Sequence, residues 1–170
     1  EGPAGSGKST VARRVAKALG YLYIDSGAWY RAVVLVALEQ GTNFDDEYAL
    51  AYLAQSMRLQ VEVKEGGLPL YLLAGKDVTA ALRSPRVNNL VSQVAEITAV
   101  RKRVTEQLKK IGMAKNIVMD GRDVGTVILP HAAVKIFLTA DLITRAERRQ
   151  KELEGRGFTL PLSAVKEKIR

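Results

Sequence analysis

Gly2-Pro3-Ala4-Gly5-Ser6-Gly7-Lys8-Ser9 matches the pattern G-x-x-x-x-G-K-[ST] at every fixed position, and a helical pattern begins directly behind it. Glycines let successive backbone N–H groups curl around phosphate oxygens, and the N-terminus of the following helix adds its dipole. Lys8 can reach the β- and γ-phosphates of a nucleotide, and the Ser9 hydroxyl can ligate Mg²⁺. With Thr10 next in the chain, the run Gly2 to Thr10 is the candidate phosphate cradle. The competing reading is a chance glycine-rich turn, and the helix that follows where the motif requires one weighs against it. The loop alone fixes no reaction, because switches, motors and kinases all carry it.

Outward from the loop, Val11, Val15, Ala18 and Leu19 recur at helical spacing from Ser9 to Leu19, and Gly20 suits the end of that helix. Tyr21 to Ile24 reads as a short strand ending at Asp25. A second helix starts at Ser26-Gly27 and runs to about Gln40 before Gly41, and Asp45-Asp46-Glu47 opens a third that reaches about Met57. The alternating 59–63 and the apolar 69–73 flank Gly66-Gly67 as a β-hairpin. From Asp77 to Gly112 the pattern is helical and basic, interrupted at Ser84-Pro85. Residues 116–119 and 133–138 are apolar at nearly every position, as strands covered on both faces are. Leu142 to Glu154 is a charged helix, followed by Gly155-Arg156-Gly157 and a further helical stretch. The expectation is an α/β fold with a parallel sheet and an inserted β element near residues 58–84. The sequence opens at Glu1 on a loop that needs a strand before it and stops in mid-helix at Arg170, so it reads as trimmed at both ends.

The 170 residues, 47% hydrophobic, suffice for one core and suggest a single domain, which excludes fibrous and disordered classes. With no cysteine and only His131, disulfides, thiolate metal sites and histidine-rich metal sites are excluded. No apolar run approaches the roughly 20 residues of a membrane span and no signal-peptide pattern opens the chain, so a cytoplasmic, soluble protein is expected. The formal charge of +8 is local: 83–115 hold eight Lys/Arg against two Glu, and 145–170 hold eight against four. Such patches suit a polyanionic ligand, although solubility alone would also account for them.

Three clusters place polar groups at the end of a buried strand or on a following helix, where open α/β sheets bind ligands. They are Asp25-Ser26-Gly27-Ala28-Trp29-Tyr30-Arg31, Ser92-Gln93-Val94 with Arg101 beyond, and Asp120-Gly121-Arg122-Asp123-Val124-Gly125. Asp120 ends a strand where it could hold Mg²⁺ through water or serve as a helix cap or turn residue, and Asp25 has the same ambiguity. Read singly, each member has a structural explanation: surface charge for Arg31, a satisfied helical turn for Ser92, a solvated face for Arg101, an internal ion pair for Arg122-Asp123. Trp29 and Tyr30 read as packing, and His131 as a loop residue.

In combination and in order along the chain, these segments resemble the bacterial cytidylate kinase family. The family shares the phosphate loop, a D-[ST]-G-x-x-Y-R segment, S-Q-V-A (Ser92 to Ala95), D-G-R-D-x-G-T (Asp120 to Thr126), K-I-F-L-T-A (Lys135 to Ala140) and a basic helix. The resemblance implies a three-layer P-loop kinase fold with a core at about 1–27 and 114–141, a monophosphate-binding region with its β insert at about 28–113, and a helical lid at about 142–170. It further implies Arg31, Arg122 and Ser26 on the acceptor phosphate, where a guanidinium fork suits phosphate geometry. Asp123, Arg101 and Ser92 would read cytosine, since a carboxylate accepts from its N4 amine and would face a carbonyl in uracil. Ser9 and Asp120 would serve the metal. Arg145, Arg148 and Arg149 share one side of the lid helix. Lys8, Arg122, Arg145 and Arg149 are the expected catalytic cations, with a charged amphipathic helix as the structural alternative for the lid.

The reaction so implied moves a phosphoryl group from Mg²⁺·ATP to CMP or dCMP in a cytoplasmic monomer that needs neither nucleic acid nor membrane. Two alternatives stay open at this stage. One is a related small-molecule kinase acting on UMP, AMP or a non-nucleotide acceptor. The other is a nucleotide-dependent binding protein whose basic 83–115 segment grips nucleic acid, with affinity falling steeply in salt.

Overall fold

A computed structural model describes residues 1–64, 68–155 and 157–169. Helix α1 (Lys8–Leu19) is framed by Gly7 at φ 96° and Gly20 at φ 65°, left-handed values that a side chain would strain. Strand β1 (Leu22–Asp25) leads into α2 (Gly27–Gln40), closed by Gly41, and α3 (Glu47–Ser56) is capped by Asp46, which accepts from the Ala49 N–H at 2.9 Å.

The insert is a three-stranded antiparallel sheet of β2 (Leu59–Val63), β3 (Pro69–Leu73) and β4 (Lys76–Asp77). The pairing of Leu59 with Leu73 through Val63 with Pro69 is the register expected for the hairpin, whose Gly66-Gly67 tip lies outside the described residues. Ala74-Gly75, both at positive φ, turn β3 into β4, a strand not anticipated from the sequence. A 3₁₀ turn (Ala81–Arg83) precedes α4 (Pro85–Glu96), started by the Ser84 cap and Pro85, and α5 (Thr98–Gly112) follows. Beyond β5 (Ile117–Asp120) come a π-helical turn (Val124–Ile128), α6 (Leu142–Glu154) and α7 (Leu162–Ile169).

The pairing that positions the site is β1 with β5: they run parallel with Asp25 opposite Asp120, so two carboxylates end adjacent strands side by side. The core gathers around α2, which is apolar almost all round and buries Ala28 to Leu35 and Ala37 apart from Arg31. Trp29, 0% exposed, meets Tyr71 of β3 edge to face at 6.3 Å and so ties the insert to the core. Leu82, Val87, Val94, Val100, Val104 and Leu108 complete it from the basic segment. The basic helices are therefore amphipathic packing elements as well as charged surfaces.

The structure overturns the expected buried strand at 133–138. Val134, Ile136 and Phe137 are 76%, 65% and 65% exposed, and the segment carries no strand pairing beyond Glu1. Leu138 donates to the Glu1 carbonyl at 2.8 Å, and the Glu1 amino group donates to the Ile136 carbonyl. One residue does not make a ladder, and the apolar pattern meets no covering layer among the described residues. The apolar positions Val11, Val15 and Leu19 of α1 are likewise exposed, and α1 buries only Ala16. Among the described residues no helix is long and apolar enough to cross a membrane.

Candidate active site

The phosphate loop is a close-packed turn. Gly2, Gly5 and Gly7 all have positive φ, and a Cβ would stand 2.1 Å from the Leu138 carbonyl oxygen at Gly2 and 2.5 Å from the Arg145 carbonyl oxygen at Gly5. Backbone approaches this near admit only glycine. Lys8 Nζ donates across the loop to the Pro3 carbonyl at 2.7 Å, and the Ser6 hydroxyl is buried with no partner. Thr10 continues α1 with an exposed side chain.

At the strand ends, Ser9 Oγ donates to Asp120 Oδ2 at 2.7 Å and the Tyr23 hydroxyl donates to Asp120 Oδ1 at 2.7 Å. Burial pushes the Asp120 carboxyl above the usual carboxylate range and Asp25 repels it further, while the two hydrogen bonds and Lys8 oppose this. Lys8 is held below the ordinary lysine value, first by burial. Asp120 and Asp25 pull it back up, and Arg122 and Arg145 push it further down. Tyr23 is raised by burial and by both carboxylates, so it keeps its proton.

The second strand-end carboxylate organises arginines. Asp25 Oδ2 takes Arg31 at 2.5 Å and Arg83 at 3.5 Å, while Oδ1 accepts from the Gly27 N–H at 3.0 Å. Arg31 Nε is buried without a partner. Ser26 is buried against Gly121, where a Cβ would come within 2.2 Å of its Oγ. Its hydroxyl does not cap α2, which leaves it open to another ligand. Arg122 is exposed with no hydrogen bond or ion pair among the described residues.

Arg101 at the start of α5 donates to the Ala95 carbonyl at 3.3 Å and closes an ion pair on Asp123. Ser92 lies exposed one turn before Ala95 on α4. The fold thus brings Arg101 and Asp123 together, and the internal ion pair weighed from sequence forms with Arg101 instead of Arg122. On α6, Arg145 Nη1 reaches the Ala4 carbonyl at 3.5 Å and Arg148 Nη1 the Ser6 carbonyl at 3.2 Å, with Arg145 Nε buried and unpartnered. Arg149 instead pairs with Glu152 at 2.7 Å on its own helix. Sequence reasoning put Arg148 on the lid stripe but not at the loop. It gave Arg83 and Tyr23 no role, because a basic residue in a basic segment and a tyrosine in an apolar strand carry no distinguishing signal.

This arrangement fits a nucleotide's phosphates and a divalent cation: N–H groups in a glycine turn, a lysine beside them, a serine-aspartate oxygen pair, and a buried Ser6 hydroxyl and Arg31 and Arg145 Nε atoms that lack partners. A glycine loop opening a helix beside a parallel strand pair, with the basic helix α6 reaching it through Arg145 and Arg148, is the arrangement of a phosphate-binding P-loop fold.

The comparisons narrow the class. The family model for cytidylate kinase matches residues 1–170. The chain is 47% identical over 169 residues to the cytidylate kinase of Symbiobacterium thermophilum, covering 99% of this chain and 75% of that protein. It is 49% identical over 160 residues to that of Pelotomaculum thermopropionicum, covering 93% and 70%. It is 45% identical over 161 residues to a bifunctional pantoate ligase/cytidylate kinase of Synechococcus sp., covering 95% of this chain and 33% of that protein. The chain belongs to the cytidylate kinase family.

Proposed function

We propose that this chain transfers the γ-phosphoryl group of ATP to CMP or dCMP, giving ADP and CDP or dCDP. The observation that carries the reading is the segment Asp120 to Asp123. Its first residue bonds the phosphate-loop Ser9 and its last pairs with Arg101 of α5, so these four residues would link a donor site to an acceptor site. Gly2 to Thr10 would hold the donor phosphates, with Ser9 and Asp120 holding Mg²⁺. Bound there, the ion would supply positive charge beside the donor phosphates. Arg31, Arg122 and Ser26 would grip the acceptor phosphate, and Ser92, Arg101 and Asp123 would read the base.

Catalysis then rests on positioning and electrostatics, with no covalent intermediate. Lys8 and Arg122 face the transferring group, Arg145 is already folded onto the loop, and Arg149 would have to leave Glu152 to join it. The test is ADP release by the full-length protein with Mg²⁺·ATP and CMP, dCMP, UMP or AMP, beside a no-acceptor control. Strong preference for CMP or dCMP supports the reading. Turnover independent of acceptor refutes it.

A further inference from the structure

Phosphoryl transfer as described uses Asp120 but gives no reason for the group that holds it. Tyr23 lies two residues before Asp25 on β1, and its register partner is Val118, two residues before Asp120 on β5. Successive side chains on a strand alternate faces, so Tyr23 and Asp120 share a face one diagonal step apart, within reach of a long aromatic side chain. Tyr23 is 4% exposed, and its hydroxyl donates to Asp120 Oδ1 while Ser9 donates to Oδ2. Each oxygen of the carboxylate is thereby fixed by one hydroxyl. An apolar residue would fill the same space without that proton, and the neighbouring Asp25 carboxylate opposes the charge that Tyr23 supports.

We propose that Tyr23 is a positioning residue for the magnesium site, orienting the Asp120 carboxylate so that its remaining lone pairs, with the Ser9 oxygen, are left for the cation. The inference rests on the reading of Ser9 and Asp120 as the metal-holding pair. Groups that orient a metal-holding carboxylate typically matter 10- to 100-fold in metal affinity.

The experiment titrates Mn²⁺, followed by electron paramagnetic resonance, into the full-length protein saturated with a non-hydrolysable ATP analogue. Tyr23→Phe is expected to weaken Mn²⁺ binding about 10- to 100-fold, with CMP affinity by calorimetry and the unfolding temperature unchanged. Tyr23→Leu, as a second variant lacking the hydroxyl, should show the same loss of Mn²⁺ affinity. In an Asp120→Asn background Tyr23→Phe should add nothing, because its effect passes through that carboxylate. If Asp120→Asn weakens Mn²⁺ binding but Tyr23→Phe does not, the proposal fails while the metal pair stands. If Asp120→Asn also leaves binding unchanged, the metal reading fails and takes the proposal with it. Parallel loss of Mn²⁺ and CMP affinity in Tyr23→Phe would mean a packing role and would overturn it too.

Discussion

Replacing Asp123 with Asn tests the base-reading assignment most directly. The carboxylate offers acceptors only, which suits the N4 amine of cytosine and opposes the O4 carbonyl of uracil, whereas an asparagine amide can turn its NH₂ toward that carbonyl. A sealed polar site of this kind can discriminate by 10⁴–10⁵. Here the Asp123 side chain is 24% exposed and its partner Arg101 44%, so water can reach the pair and compensate a mismatch. The lower range for a single base contact, about 1–3 kcal/mol, is then the appropriate one, and the ratio of kcat/KM for CMP over UMP should fall roughly 5- to 150-fold. The loss of charge also releases Arg101, which should lower kcat/KM for both acceptors. Only the ratio isolates base reading. Coupled ADP-release kinetics with both acceptors give it, and a ratio unchanged while both values fall together would reduce Asp123 to a tether for Arg101.

Lys8→Met should lower kcat about 10²–10³-fold, the usual effect of removing one preorganised charge donor, with the unfolding temperature unchanged. Because Lys8 sits below the ordinary lysine value, the alkaline limb of kcat/KM for ATP in the parent should fall below the lysine range, and Lys8→Arg should move it upward; a limb at the ordinary value would contradict the burial argument. Gly5→Ala sets a Cβ 2.5 Å from the Arg145 carbonyl oxygen at φ 77°, so calorimetry should find ATP binding lost and the fold weakened, and wild-type affinity would refute the packed-loop geometry. The Asp77 carboxyl is held down to about 2 by Thr79 and Lys64, so its contribution to stability is present above the unfolded carboxylate value near 4 and is lost as pH falls toward about 2. Urea midpoints measured across that window should fall less steeply in Asp77→Asn than in the parent.

What the sequence made legible was what local chemistry decides. Gly20, Gly41, Asp46 and Ser84-Pro85 mark helix ends because each meets a backbone need at that point, and the helices start and stop within a residue or two of those marks. The phosphate loop is equally plain, and its Gly2 and Gly5 stand where a side chain would collide while Gly7 takes a left-handed φ. The apolar pattern of 133–138 reads as a buried strand, but among the described residues its backbone bonds only Glu1, and Val134, Ile136 and Phe137 stay exposed. At the site, the strand-end positions of Asp25 and Asp120 are visible in the sequence, but not the parallel register that sets the two carboxylates side by side. Which arginine of the α6 stripe meets the loop depends on the helix's rotation and on Glu152, and three- or four-residue spacing is blind to both. Tyr23 is hidden for a similar reason: its hydroxyl bonds a partner 97 residues away.

Adjacent carboxylates at the ends of β1 and β5 would repel each other in isolation, and the fold answers each with a different set of partners. Asp25 is met by guanidinium groups from α2 and from the turn beyond the insert, while Asp120 is met by two neutral hydroxyls and by Lys8 only at longer range. The difference suits different tasks. A carboxylate already paired with arginines would be a poor ligand for a cation, whereas one held only by neutral hydroxyls would have no competing cation in contact with it. Conversely, arginines held by Asp25 would be preorganised for an incoming phosphate without repelling one another in its absence, and the unpartnered Nε of Arg31 would give it a further donor. The same division predicts that Asp25→Asn and Asp120→Asn fail differently. The first should raise the KM for CMP through disordered arginines, and the second should raise the metal requirement. Steady-state kinetics varying CMP and Mg²⁺ separately would show it, and identical defects in the two variants would refute the assignment of one carboxylate to each side of the reaction.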